Sequence, residues 1–557
     1  MRARAWIHVG LLLLGVGILA GAGAAGPVQK RGGSLRISSS HDVDSLDPAI
    51  AYGTDSWMIE FASCARLYSY PDKPAPEGTV LIPEVAAGLP RLSRDRQTQT
   101  IELKRTYRFD SGARITAANF VAAFNRDARP IVPLAPSANG KPLSSSATNF
   151  MHEIVGADAV IDGRARTISG VQALAPYTLQ IRTTRPIPDL VSRLTLPFFC
   201  PIPVGLPPRE TDSPPGSGPY RIASHVTNRQ IVLERNPSYR GPRPTNVDRI
   251  VWTFMAPTTC GEEVERNEVD YCLFPGPDYN KQVCSRFGIN RPNGRCFFNK
   301  TLNTTYFAFN HDRPAFKGTG QIPLKQAINL VIDRHELARA VGYLSGGRVD
   351  QMLPGALGRD EHIYPLRGIS ARDLARAREL VARAKYKPDK LVLYTHVPGF
   401  KGVNAIWAQT FKYDVGRLGI DVEIKYFNGP AQVVLGPAGT RGEPFDVVIS
   451  SWTPDYFDGI AFFDPLANGN NIKPTGNYNF SYFDRPWVNR EIERIEGLTG
   501  EARRKAWADL DVKLMREDPP WAPFLGGTEI DIVSRSFGCY VFQPVFSGPD
   551  LAAACKK

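Results

Sequence analysis

The sequence has no CxxC pair, no HExxH, no GxSxG elbow and no P-loop. These absences remove the usual short motifs for zinc binding, metalloprotease, serine-hydrolase and nucleotide chemistry. Histidine is scarce. Beyond the first 24 residues it occurs singly, at His41, His152, His225, His311, His335, His362 and His396. His335 lies in HELAR, which has no second histidine. A hydrolase needs a nucleophile beside an activating base, and no motif supplies one, so no catalytic residue is assigned. No cysteine precedes Cys64, so the lipid-anchored export route lacks the cysteine it needs at its cleavage point. No stretch after the first 24 residues is apolar and long enough to span a bilayer, which takes about 20 residues.

The N-terminus reads as an export signal. Arg2 and Arg4 are a basic lead, residues 9–20 (VGLLLLGVGILA) are an apolar core, and Ala22-Gly23-Ala24 fits the small-x-small cleavage rule. The expectation is a secretory signal over residues 1–24, with an uncleaved anchor as the alternative, and a periplasmic or extracellular destination without a lipid anchor. The formal charge is +12, and removing Arg2 and Arg4 lowers it by two to +10. Basic residues are spread along the chain, whereas a nucleic-acid binder concentrates them in a patch or helix. A nucleic-acid partner is therefore not expected.

All eight cysteines lie beyond the signal, an even count suited to disulfides in an oxidising compartment. Eight cysteines allow about 105 connectivities. Cys260, Cys272, Cys284 and Cys296 recur every twelve residues, and Cys539 and Cys555 close a short terminal loop. The favoured pairs are 260–272, 284–296, 539–555 and 64–200. No histidine stands at ligand spacing beside them, so no metal site and no cofactor are assigned.

A chain of 557 residues exceeds one core, so two or three domains are expected. Strand and helix patterns alternate, which favours an α/β fold. Leu324, Ala327, Ile328, Val331 and Ile332 predict a helix over 324–332, with Pro323 in its first turn. Asp333 with Glu336 opens another helix, predicted to stop near Gly346-Gly347, and Ser370 with Asp373 caps a third. Trp407, Phe411, Val415 and Leu418 form an apolar stripe closed by Gly419, and Ile420, Val422 and Ile424 alternate as a strand. Trp507, Leu510 and Leu514 mark a last helix before Pro519-Pro520. Residues 136–149, rich in Ser, Ala and Asn, are expected to be an exposed loop.

Five collinear segments carry a family resemblance. They are GGSLRISSSHDVDSLDP (32–48), LIPEVAAGLP through TIELKRTYRFDSGARITAANFVAAF (81–124), and GSGPYRIASHVTNRQIVLERNPSYR (216–240). The last two are YFAFNHDRPAF…LKQAINLVIDR (306–334) and FDVVISSWTPDYFD (445–458). In this order they resemble the family-5 extracytoplasmic solute-binding proteins, the oligopeptide, dipeptide and nickel binders of ABC importers. Two departures stand out. Asn119 and Phe120 replace the family's usual Asp and Val, and Asp458-Gly459 replaces its Asp-Pro, with Asp464-Pro465 following later.

The resemblance implies a periplasmic-binding-protein type II flytrap with two lobes and an extra subdomain inserted in lobe I. Lobe I would comprise 32–66, 170–302 and 525–557, the inserted subdomain 67–169, and lobe II 303–524. Chain crossings near 302 and 525 would form the hinge. A solute, expected to be a small peptide, would bind between the lobes of a monomer and pass to the importer's permease and ATPases. Nickel or a chelated metal, haem or another small solute is the alternative, and an exported hydrolase is the reading from another class.

The resemblance also nominates residues. Asp455 stands where peptide binders keep a carboxylate for the ligand ammonium. Trp452 would wall a side-chain pocket, with Thr453 and Tyr456 beside it. Tyr52 matches a cleft position that is acidic in the oligopeptide binders, and Trp57 lies near it. Asn310 would reach ligand backbone or serve the hinge.

Overall fold

The computed structural model describes residues 32–134, 142–254, 257–273, 277–291, 294–342, 344–359, 361–397, 402–428 and 436–557. The predicted export signal and residues 136–141 of the predicted loop lie outside these. Among the described residues, no helix is long and apolar enough to cross a membrane.

Ten strands make one sheet. In chain order they are β1 (Ser34–Ser39), β2 (Tyr220–Val226), β3 (Gln230–Arg235), β4 (Arg249–Phe254) and β5 (Tyr271–Cys272). Then come β6 (Cys296–Phe309), β7 (Lys390–Val397), β8 (Asp421–Asn428), β9 (Val447–Trp452) and β10 (Trp521–Val533). Their order across the sheet is β8-β7-β9-β6-β10-β5-β1-β4-β3-β2. β7 runs parallel to β8 and β9, and β1 runs parallel to β4 and β5. Parallel strands with helical crossovers are the α/β pattern.

The two long central strands, β6 and β10, join two lobes. Residues 304–309 of β6 pair with β9, and residue 532 of β10 pairs with β5. The β6–β10 ladder is interrupted between Lys300 and Thr304, beside the chain crossing expected near residue 302. A Cβ on Gly527 would meet Thr301 Oγ1 at 2.2 Å, so only glycine fits this bulge.

Local sequence signals explain the elements around this frame. Helix Ile322–Val331 carries Pro323 in its first turn and buries Leu324, Ala327, Ile328 and Val331. Asp333 caps helix Arg334–Val341 by accepting from the His335 and Glu336 amides. That helix ends about five residues before the predicted Gly346-Gly347 stop, because Gly342 takes φ +89° and breaks it at once. Ser370 and Asp373 form a full capping box for helix Ala371–Arg383. Trp407, Phe411 and Val415 are the buried face of helix Val403–Gly416. Part of the predicted exposed loop is packed instead: Ser145 caps a short turn over Ser146–Phe150, and Ala147 is buried.

A smaller four-stranded sheet (Arg91–Leu92, Thr98–Glu102, Val171–Ala175, Thr178–Arg182) stands beside lobe I with helix Ala117–Asp127. Its last two strands run past residue 169, where the inserted subdomain was expected to end. Two family motifs tie it to its surroundings, one to the N-terminal segment and one to the segment around Ile202. Asp47 of the LDP segment is fully buried and accepts from both terminal guanidinium nitrogens of Arg126, at 2.8 and 2.6 Å. Thr116 and Asn119 form a capping box, and Asn119 Nδ2 also donates to the Ile202 carbonyl at 2.9 Å. A carboxylate could not make that second bond, which accounts for asparagine at this position.

All four disulfides form with the favoured pairing: Cys64–Cys200, Cys260–Cys272, Cys284–Cys296 and Cys539–Cys555. The first spans 136 residues and joins the end of helix Thr54–Ser63 to the Pro197–Phe199 turn. Chain entropy makes long loops gain most, about 5 kcal/mol for 100 residues or more against about 3 kcal/mol for a dozen. Removing Cys64–Cys200 by paired Cys→Ser changes should therefore cost more unfolding free energy in denaturant titration than removing Cys260–Cys272.

Candidate functional site

Strand β9 ends at Trp452, which pairs with Thr304, the first β6 residue beyond the bulge. The loop after it, residues 453–458, thus emerges at the line where the lobes meet. The loop Asp44–Gly53 faces it from lobe I. Its shape is set by Asp44, whose Oδ2 accepts from the Tyr52 amide (2.7 Å) and the Gly53 amide (2.9 Å).

The two loops touch through Tyr52 and Asp455. The Tyr52 hydroxyl donates to Asp455 Oδ1 at 2.7 Å across the interface. Asp455 is half-buried by its exposed area, and the protein packed around its carboxyl pushes it up to about 6, against the opposing pull of Tyr52 and its own backbone amide. Among the described residues, no cationic side chain offsets that burial. Burial and the Asp455 charge together push the Tyr52 hydroxyl well above its ordinary range. Tyr52 is nevertheless 40 % exposed, and its hydroxyl reaches across the interface to Asp455.

Aromatic rings surround this pair. Tyr52 stacks on Phe198 (centroids 6.0 Å apart) and meets the edge of Trp57 at 5.6 Å. Phe198 also stacks on Phe150 at 6.0 Å. The Cys64–Cys200 disulfide holds this wall, since Phe198 is two residues from Cys200. On the lobe II side, Trp452 packs edge-on to Tyr478 at 5.3 Å, and the Asp455 charge reaches the Tyr478 hydroxyl.

The residues nominated from sequence have different fates. Asp455, Tyr52, Trp452 and Thr453 lie along the interlobe line. Trp452 is half-buried, and its indole N–H donates to the Ala461 carbonyl at 2.7 Å, which fixes the ring. Thr453 is exposed and accepts from Asn303 Nδ2 at 3.0 Å. Trp57 is buried behind Tyr52, with its indole N–H on the Ala51 carbonyl. Tyr456 is buried and donates to Asp189 Oδ2 at 2.7 Å, so its hydroxyl is spent between the lobes. Asn310 lies at the far end of β6, buried, bonding the Phe445 carbonyl and the Asp312 amide. It is remote from the crossing and serves its own turn.

Sequence reasoning missed Phe150, Phe198 and Tyr478. Phe198 had one signal, its place beside Cys200; Phe150 and Tyr478 had none. The Gly459 departure has a packing cause: a Cβ there would sit 2.5 Å from the Trp507 ring. Among the described residues, no group of three or more His, Cys, Asp or Glu side chains could hold a metal ion.

An uncompensated carboxylate among aromatic faces, at the seam of two lobes, is suited to holding a cationic group. Known proteins agree with the fold that carries it. The model for bacterial extracellular solute-binding proteins, family 5, middle region, matches residues 80–474. The periplasmic oligopeptide-binding protein OppA of Haemophilus influenzae is 24% identical over 434 residues, covering 74% of this chain and 74% of that protein. OppA of Escherichia coli K12 is 23% identical over 447 residues, again covering 74% of each. Among solved structures, the clavulanic acid biosynthesis oligopeptide binding protein 2 superposes with a TM-score of 0.78 at 24% identity, covering 95% of this chain and 96% of the other. The unliganded open form of the murein tripeptide binding protein MppA gives 0.71 at 21% identity, covering 95% and 99%. With the family model spanning more than half of its sequence, this chain belongs to family 5 of the bacterial extracellular solute-binding proteins.

Proposed function

We propose that this chain is the extracytoplasmic substrate-binding component of an ABC importer, and that it captures peptides with a free amino terminus between its lobes. Asp455 carries the reading. It is a carboxylate at the interlobe seam, with no cationic partner among the described residues and an aromatic surround. A peptide ammonium would supply the missing charge through a charge-assisted hydrogen bond. The aromatic faces of Trp452 and Tyr478 offer contact area with little demand on side-chain identity. The printed names of the relatives, oligopeptide and murein tripeptide binders, support the same solute class. Closure of the lobes over the solute would present the form that the permease recognises, and export to the periplasm or cell exterior follows from the signal-like N-terminus.

Mass spectrometry of what co-purifies with the exported chain tests the solute class. A peptide mixture is expected; a metal chelate, haem or sugar would replace the reading. Calorimetric titration with tri-alanine and N-acetyl-tri-alanine tests the anchor. Wild type should prefer the free amine by about 10- to 100-fold, and Asp455→Asn should abolish that preference. Equal binding of both peptides by both proteins would remove Asp455 from the role.

The ammonium contact also needs an ionised Asp455, whose carboxyl titrates at about 6. Affinity for the free-amine peptide should be full above that pH. It should fall as pH drops through it, by at most about tenfold per unit. The N-acetyl peptide should show no such fall.

A further inference from the structure

We infer that Tyr456, Asp189 and the ion pairs behind them form a closure clasp, a ring of positioning residues that holds the lobes together over a solute without touching it. The inference rests on the solute-binding reading above. It starts from Tyr456, which is 4 % exposed and lies next to Asp455 in sequence. Its hydroxyl leaves lobe II and donates to Asp189 Oδ2 at 2.7 Å. Asp189 receives Arg193 Nε at 2.8 Å, and Arg193 Nη1 reaches Glu153 at 2.9 Å. Glu153 holds Arg185 Nη2 at 2.9 Å, and Arg185 Nη1 crosses back to Glu496 of lobe II at 2.6 Å. On lobe II, Arg503 closes the ring. It pairs with Asp458 at 2.8 Å and donates to the Ile495 and Glu496 carbonyls at 3.1 and 3.0 Å.

The ring crosses the interface twice, and its charges alternate along its length. Burial alone would raise the Asp189 carboxyl, but Arg193 on its own side and Arg503 on the other hold it below the usual range. Each lobe keeps its own ion pairs when the crossings break: Arg193 with Asp189 and Glu153, and Arg503 with Asp458. Within the ring, opening therefore frees only the Tyr456 hydroxyl and the Glu496 carboxylate, while Arg185 keeps Glu153, so most of the ring's charges stay paired in both states. Contacts made only in the closed state act on escape of the solute and leave its entry unchanged. The adjacent backbone is engaged as well: the Phe457 amide donates to the Tyr70 hydroxyl at 3.4 Å. The loop that carries Asp455 is thus set in place by the opposite lobe.

Tyr456→Phe tests this with the ring retained and the hydroxyl removed. Stopped-flow measurements with a dansyl-labelled tripeptide bearing a free amino terminus should show dissociation about tenfold faster or more. Association and the thermal midpoint should be unchanged. Small-angle scattering of the protein as purified should give a larger radius of gyration for the variant than for wild type. Glu496→Gln should repeat both effects at smaller size, and added salt should erase the difference because Arg185 is half exposed. Unchanged dissociation and scattering in Tyr456→Phe would overturn the clasp, as would a lowered thermal midpoint with both rates altered alike. If wild type fails to bind the tripeptide, the peptide reading falls, and the scattering comparison alone decides the clasp.

Discussion

Three consecutive residues of one loop, Asp455, Tyr456 and Phe457, each hydrogen-bond to the opposite lobe. The rest of the architecture depends on where that loop is placed. Its position follows from topology. β9 pairs with β6 only beyond the bulge, so its last residue, Trp452, sits at the crossing. Whatever follows Trp452 must enter the space between the lobes. At the bulge Gly527 leaves room for Thr301 and Asn303, which a Cβ there would meet at 2.2 and 2.6 Å.

The electrostatics of the seam are uneven. Around Tyr456 every charge has a partner, and the arginines hold Asp189 ionised. At Asp455, one residue away, burial is opposed only by a tyrosine hydroxyl and a backbone amide, and the carboxyl rises to about 6. A charge-paired network beside a carboxylate with no cationic partner among the described residues separates two tasks. The first can hold lobes, and the second can hold a cation. The aromatic wall of Phe198, Trp57 and Tyr52 adds rigidity on the lobe I side, because the Cys64–Cys200 bond ties its two chain segments together.

Much of the frame was legible because it is local. Capping pairs such as Ser370 with Asp373, apolar spacing such as Trp407, Phe411 and Val415, and the twelve-residue cysteine interval need only neighbouring residues to be read. Part of the seam where Asp455 meets Tyr52 was legible through the W-T-P-D segment. What sequence reasoning lost was set by distant partners. Tyr456 reads as a solute contact until Asp189, 267 residues away, is seen to take its hydroxyl. Asn310 reads as a ligand-backbone or hinge residue until its side chain is found on the Phe445 carbonyl. Gly459 reads only as a departure from the family's Asp-Pro until Trp507 is found over it. Tyr52, where relatives were expected to be acidic, becomes intelligible once its hydroxyl is seen on Asp455, 403 residues away.

The most direct test of the central claim is a structure of the protein with its co-purified solute. The account predicts a cationic nitrogen of the solute within about 3 Å of an Asp455 carboxylate oxygen, between Tyr52 and Tyr478, with Tyr456 still on Asp189. A solute bound elsewhere, with Asp455 contacted by Tyr52 alone, would contradict it.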